Sequence, residues 1–218
     1  MARSPWPGCG LYAITDGTLH RGAALEHAVT RAISGGARVI QYRDKSGDAA
    51  RRRGEAAALV RVCRRHGVPL IVNDDVELAL RVDADGVHIG RDDMDLAAAR
   101  ERLAPGAVIG VSCYDQVALA EAAQRHGADY VAFGSMFPST TKPDAIPAGI
   151  AVLMRARARI RLPIVAIGGI TPHNAGALLE AGADMLAVVS GVFGSPDPAD
   201  AARAYARLFL PQTEDEQA

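Results

Sequence analysis

Eight short runs of aliphatic and β-branched residues, each followed by an Ala-, Leu- and Arg-rich stretch, alternate along most of this chain. The runs are Leu11–Thr15, Arg38–Arg43, Pro69–Asn73, Gly86–Ile89, Val108–Ser112, Tyr130–Phe133, Ile164–Ile167 and Met185–Val189. Strands alternating with helices in this way favour a parallel sheet. Eight such units within 218 residues favour closure into one (β/α)8 TIM barrel over an open doubly wound sheet.

Glycines mark the rhythm. Ser34-Gly35-Gly36-Ala37, Arg65-His66-Gly67-Val68, Arg125-His126-Gly127-Ala128-Asp129 and Glu180-Ala181-Gly182-Ala183-Asp184 all precede strands, with glycine where a helix ends. His66 and His126 then read as helix C-terminal residues, where a cation is favourable. The barrel is expected to span 11–209. Residues 1–10, with two prolines and two glycines, are expected to form a flexible arm, and 210–218 a flexible acidic tail.

Bulk properties exclude several functions. The net charge of −1 argues against nonspecific nucleic-acid binding, and Arg51-Arg52-Arg53, Arg155 and Arg159 read as solvated helix faces. Cys9, Cys63 and Cys113 show neither metal-binding spacing nor an even count, which suits a reducing compartment. No signal peptide or bilayer-length apolar run is evident, so the expected location is the cytoplasm, without a membrane partner. A homo-oligomer is compatible with the sequence.

In such barrels the chemistry sits at the C-terminal ends of the strands. Here the polar residues gather at those ends. Gln41, Arg43 and Lys45 alternate along one face, and two cations beside an amide suit a polyanion such as a diphosphate with a polar ring. Asp74 and Asp93 follow adjacent strands, and their carboxylates suit Mg²⁺. Alternatively, Asp74 caps the helix that begins near Asp75. Gly168-Gly169 and Ser190-Gly191, after the seventh and eighth runs, suit a phosphate. His88, flanked by Gly86 and Gly90, faces a ligand or packs as a core histidine. Ser112 reads as a hydrogen-bonding residue, since no Ser-His-Asp pattern accompanies it, and Cys113 turns to the opposite face. The loop Gly134–Pro147 has the length and composition of a lid.

Together these segments resemble the thiamine phosphate synthase family, also called thiamine phosphate pyrophosphorylase. The matching pieces are Gln41-Tyr42-Arg43-Asp44-Lys45, Asn73-Asp74, Gly86-Val87-His88-Ile89-Gly90 with Asp92-Asp93, and Ile109-Gly110-Val111-Ser112. They continue with Phe137-Pro138-Ser139-Thr140-Thr141-Lys142, Ala166-Ile167-Gly168-Gly169-Ile170 and Val188-Val189-Ser190. The resemblance implies two small-molecule substrates, 4-amino-2-methyl-5-(diphosphomethyl)pyrimidine and a thiazole phosphate. It implies that Gln41, Tyr42, Arg43, Asp44, Lys45, Asn73, Ser112 and Lys142 serve the pyrimidine diphosphate, and His88 is expected among the substrate-binding residues. Arg43, Lys45, Ser112 and Lys142 would carry catalysis, and Asp74 and Asp93 would hold Mg²⁺. Ser139, Thr140, Thr141, Gly169, Val189 and Ser190 would hold the thiazole phosphate.

Three residues depart from the family pattern. Ser139 stands where threonine is usual, and Arg91 where glutamine is common. Tyr42 replaces an aliphatic residue, and its side chain is expected on the barrel exterior. A thiazole tautomerase on the same barrel, or a nonenzymatic binder of phosphate ligands, would share the fold. The tautomerase has no use for the set Arg43, Lys45, Asp74, Asp93 and Lys142, and tight ligand binding without turnover would mark the binder.

Overall fold

The computed structural model describes residues 6–138 and 148–210. The elements run β1 (Gly10–Ile14), α1 (Gly22–Ser34), β2 (Ala37–Tyr42), α2 (Ala49–His66), β3 (Leu70–Asn73), α3 (Val76–Val82), β4 (Gly86–Ile89) and α4 (Leu96–Arg102). They continue as β5 (Val108–Tyr114), α5 (Val117–Arg125), β6 (Tyr130–Phe133), α6 (Ala151–Arg157), β7 (Ile164–Ile167), α7 (Gly176–Glu180), β8 (Met185–Val188), α8 (Ser190–Phe193) and α9 (Pro198–Ala206). Each strand pairs in parallel with its sequence neighbours, and β1 pairs with β8, closing the barrel. The expected TIM barrel is the observed fold.

Helix ends are set locally. Asp48, Asp75, Asp95 and Asp197 cap α2, α3, α4 and α9 by accepting first-turn amides. Gly67 closes α2 in the left-handed conformation at φ 66°, as its place after His66 suggested.

Two apolar layers share the strands. Leu11, Ile40, Leu70, Val87, Ile109 and Val131 face the helices, whereas Tyr12, Ile14, Val39, Ile71, Tyr130 and Val165 fill the interior. The N-terminal end is pinned by aspartates that precede strands. Asp85, Asp129 and Asp184 accept the backbone N–H groups of Leu70, Ile109 and Ile164 at 2.7–2.8 Å, each bracing the neighbouring strand. Arg100 and Arg157 hold the latter two carboxylates. Polar bracing at that end fits a stabilising face, which leaves the opposite end for the site.

The N-terminal arm needs a correction. Gly10 already belongs to β1, and Trp6 stacks on Tyr130 with ring centroids 4.4 Å apart and planes 8° apart. A large aromatic surface finds a place in the barrel interior, which ties this part of the arm down. The expected tail from 211 onward lies outside the described residues. No helix among the described residues is long and apolar enough to cross a membrane.

Candidate active site

The ends of β2, β3 and β4 bring three charged side chains together. β2 stops at Tyr42, so strand alternation does not extend to Lys45, which lies exposed in the following loop. Its Nζ nevertheless pairs with the Asp74 carboxylate. Asp74 adopts a left-handed φ of 63° and donates its N–H to the His88 carbonyl at 2.8 Å. The α3 cap is Asp75, whose carboxylate accepts the Leu78 N–H at 2.9 Å. Asp74 is therefore released from capping, and its carboxylate meets that of Asp93.

The two carboxylates titrate apart. Burial works to raise Asp74, but hydrogen bonds from Lys45 and Asp93 outweigh it and hold the group below its usual range. Asp93 is raised, first by burial and then by the neighbouring Asp74, against a hydrogen bond from the Gly90 N–H. A cavity of about 460 Å³ opens above this group, bordered by Lys45, Asn73, Asp74, Asp93 and Met94. Two adjoining carboxylates with one lysine between them suit a hard cation that also touches phosphate.

Gln41, His88 and Ser112 form a second group. Gln41 is 3% exposed and donates through Nε2 to the Tyr12 hydroxyl at 2.8 Å. His88 meets Tyr130 Oη through Nδ1 and Ser112 Oγ through Nε2, both at 2.9 Å. Cys113, on the other face, is buried, and burial pushes its thiol up to about 12. Arg43 follows β2 and is tied to β1 by its N–H, which donates to Thr15 Oγ1 at 2.9 Å.

Tyr42 faces the barrel exterior, as expected, and Asp44, which borders the same cavity as Lys45 and Asp74, is held by its own loop. Tyr42 points into the helix layer, where its hydroxyl donates to Glu55 at 2.9 Å. Alternation forces this, because Gln41 takes the interior face. The Asp44 carboxylate accepts the Ser46 N–H at 2.6 Å and Arg51 at 2.8 Å, so it shapes the β2–α2 loop. The Tyr42 side chain is committed to the helix layer, whereas Asp44, held by Ser46 and Arg51, still borders the cavity.

Across the mouth, the β6 and β7 loops clasp each other. Met136 and Phe137 donate their N–H groups to Ile167 and Gly168 carbonyls at 2.9 and 3.0 Å. Gly169 has φ 62°, and a Cβ there would lie 2.3 Å from the Pro138 carbonyl oxygen. Val189 and Ser190 follow on the neighbouring strand, with Ser190 opening α8. Ser139, Thr140, Thr141 and Lys142 lie outside the described residues.

The family model described as thiamine monophosphate synthase matches residues 11–192, from the second residue of β1 into α8. The thiamine-phosphate synthase of Chromobacterium violaceum is 56% identical over 200 residues, covering 92% of this chain and 96% of that protein. That of Thiobacillus denitrificans is 52% identical over 210 residues, covering 96% and 99%. This chain belongs to the thiamine monophosphate synthase family. The family is one of transferases. Among solved structures, the thiamine phosphate pyrophosphorylase from Pyrococcus furiosus superposes with a TM-score of 0.84 at 36% identity, over 92% of this chain and 95% of that one.

Several contacts that shape this synthase-family mouth are absent from the sequence expectations. Tyr12 and Tyr130 hold Gln41 and His88 from within, and a signal for them existed, since a buried phenol needs a hydrogen-bond partner. Arg91 lays its guanidinium 4.6 Å from the centre of the Tyr114 ring, and its N–H donates to the Tyr114 hydroxyl at 3.2 Å. That contact depends on a register shift between Ser112 and Tyr114, which strand alternation does not reveal.

Proposed function

We propose that this barrel condenses 4-amino-2-methyl-5-(diphosphomethyl)pyrimidine with a thiazole phosphate, giving thiamine phosphate and diphosphate. The observation that carries the reading is the meeting of Lys45, Asp74 and Asp93 at the mouth, in a chain of this family.

Asp74 and Asp93 would hold Mg²⁺, their unequal titration marking a site where a cation relieves like-charge crowding. When bound, Mg²⁺ would neutralise charge on the departing diphosphate. Arg43, Lys45 and Lys142 would contribute the remaining positive charge. Gln41 and Asn73 would orient the pyrimidine, and Ser112 would donate a hydrogen bond beside the leaving group. Gly169, Val189 and Ser190, with Ser139, Thr140 and Thr141, would take the thiazole phosphate through backbone N–H groups and hydroxyls.

The bond changes balance without a protein nucleophile. The C–O bond to diphosphate breaks with its electron pair leaving on oxygen, while the pyrimidine amino group feeds electrons toward the exocyclic carbon. The thiazole nitrogen lone pair then forms the C–N bond, and a carboxylated thiazole also loses CO₂. His88 Nδ1 meets the Tyr130 phenol, and no step of this condensation calls on Ser112 as a nucleophile. The protein's task is positioning and stabilisation of the leaving group. Charged substrates of this kind, and a fold with free cysteines, fit work in the cytoplasm.

The test is product formation by the purified protein from both substrates with Mg²⁺. Thiamine phosphate and diphosphate should appear in equal amounts. Isomerisation of the thiazole phosphate without either product would instead identify a tautomerase.

A further inference from the structure

One continuous hydrogen-bonded chain crosses the barrel interior. Gln41 Nε2 donates to Tyr12 Oη at 2.8 Å, and Tyr12 Oη lies 2.8 Å from Tyr130 Oη. Tyr130 Oη lies 2.9 Å from His88 Nδ1, and His88 Nε2 lies 2.9 Å from Ser112 Oγ. The chain thus passes through β2, β1, β6, β4 and β5. Its Ser112 end is partly exposed at the C-terminal end of β5, whereas Gln41, Tyr12 and Tyr130 are buried, at 3%, 1% and 0% exposure. Two further features hold the middle in place. Gly110 leaves room for the Tyr130 ring, since a Cβ there would lie 1.9 Å from Tyr130 Cζ. Trp6 stacks on Tyr130 and meets Tyr12 edge-on.

Counting protons gives the chain a direction. Gln41 supplies an N–H, so Tyr12 accepts at that end. A buried phenol proton needs an acceptor, and Tyr12 finds it in Tyr130. Tyr130 in turn passes its own proton toward His88 Nδ1. An accepting ring nitrogen carries no proton, so a neutral His88 bears its proton on Nε2 and donates to Ser112. The Ser112 hydroxyl proton is then left to point into the mouth. The reverse direction would aim the Tyr12 proton at the amide NH₂, which cannot accept it. Burial raises both tyrosines above their usual range, which keeps the phenols protonated.

We propose that Tyr12 and Tyr130 are positioning residues that fix His88 in its Nε2–H tautomer and thereby present the Ser112 hydroxyl as a hydrogen-bond donor to the substrate. The second half of this statement rests on the synthase reading above, whereas the first concerns the free protein alone.

The experiment is ¹⁵N–¹H NMR of the full chain labelled at its six histidines, with His88→Gln used for assignment. Wild type should show His88 as one Nε2–H tautomer. Tyr130→Phe should lose that single form, and Tyr12→Phe, which frees the Tyr130 proton to reverse, should show a mixture. In the two-substrate assay kcat should fall about tenfold to a hundredfold in Tyr130→Phe, with KM changing less. An Nδ1–H tautomer or a charged imidazolium in wild type at neutral pH would overturn the proposal, as would wild-type spectra and kcat in both variants. The expected spectra in a protein that makes no thiamine phosphate would uphold the tautomer assignment and remove the synthase reading instead.

Discussion

Asp74 and Asp93 bring their carboxylates together at the barrel mouth, and Lys45 pairs with Asp74. Asp74 is shifted down and Asp93 up, so the pair favours holding one proton between the two carboxylates.

Asp93→Asn should make the metal-free protein more stable at neutral pH, by about 0.5–1 kcal/mol, because a functional site is relieved of like-charge crowding. An asparagine still accepts from the Gly90 N–H and donates to Asp74. The sign follows from the raised Asp93: its ionised form is penalised by folding, and that penalty grows as pH rises through the folded pKa. Urea unfolding of both proteins in chelator checks this, and a less stable variant would refute it.

Asp44 carries the opposite sign. Burial would raise it, but hydrogen bonds from Ser46 and Arg51 lower it from 3.8 to about 2. Its contribution is therefore present above the unfolded pKa and lost as pH falls through about 2. Asp44→Asn should cost about 1–2 kcal/mol at neutral pH, with the difference shrinking between about pH 4 and 2. Stability measured by denaturant across that window reads it directly.

Tyr42→Phe should reduce stability by about 1–3 kcal/mol, because Glu55 is buried and loses a donor. KM for the pyrimidine diphosphate should stay near the wild-type value, since the side chain faces α2. A large rise in KM with unchanged stability would return Tyr42 to the binding set.

Gly169→Ala should raise KM for the thiazole phosphate more than for the pyrimidine diphosphate. The new Cβ would strike the Pro138 carbonyl in a left-handed backbone, pushing the β6 and β7 loops apart. Separate titrations of the two substrates distinguish this from a general loss of fold, which would affect both alike.

Much of the fold was legible in the sequence. β4, β6 and β7 begin and end where the apolar runs do, because short strands bounded by turn residues leave little freedom in their limits. The pairing of Asp74 with Asp93 was legible from adjacent strands alone. Four things were not. Tyr12 and Tyr130 are 118 residues apart, and a single sequence offers nothing that couples them. Trp6 lies in a segment with no periodicity, so its stacking is a tertiary event. Asp44 stands at the mouth, and only the loop geometry shows that Ser46 and Arg51 hold its carboxylate, whereas the outward face of Tyr42 follows from alternation. The Arg91–Tyr114 stack follows from a bulge that shifts the register by one residue.

The most direct test of the central claim is diphosphate release as a function of Mg²⁺ in wild type and Asp93→Asn. The account predicts release that rises with Mg²⁺ in wild type, and a variant that needs at least about tenfold more metal, as expected when one carboxylate ligand is lost. Superimposable metal titrations in the two proteins would contradict it and remove Asp93 from the site.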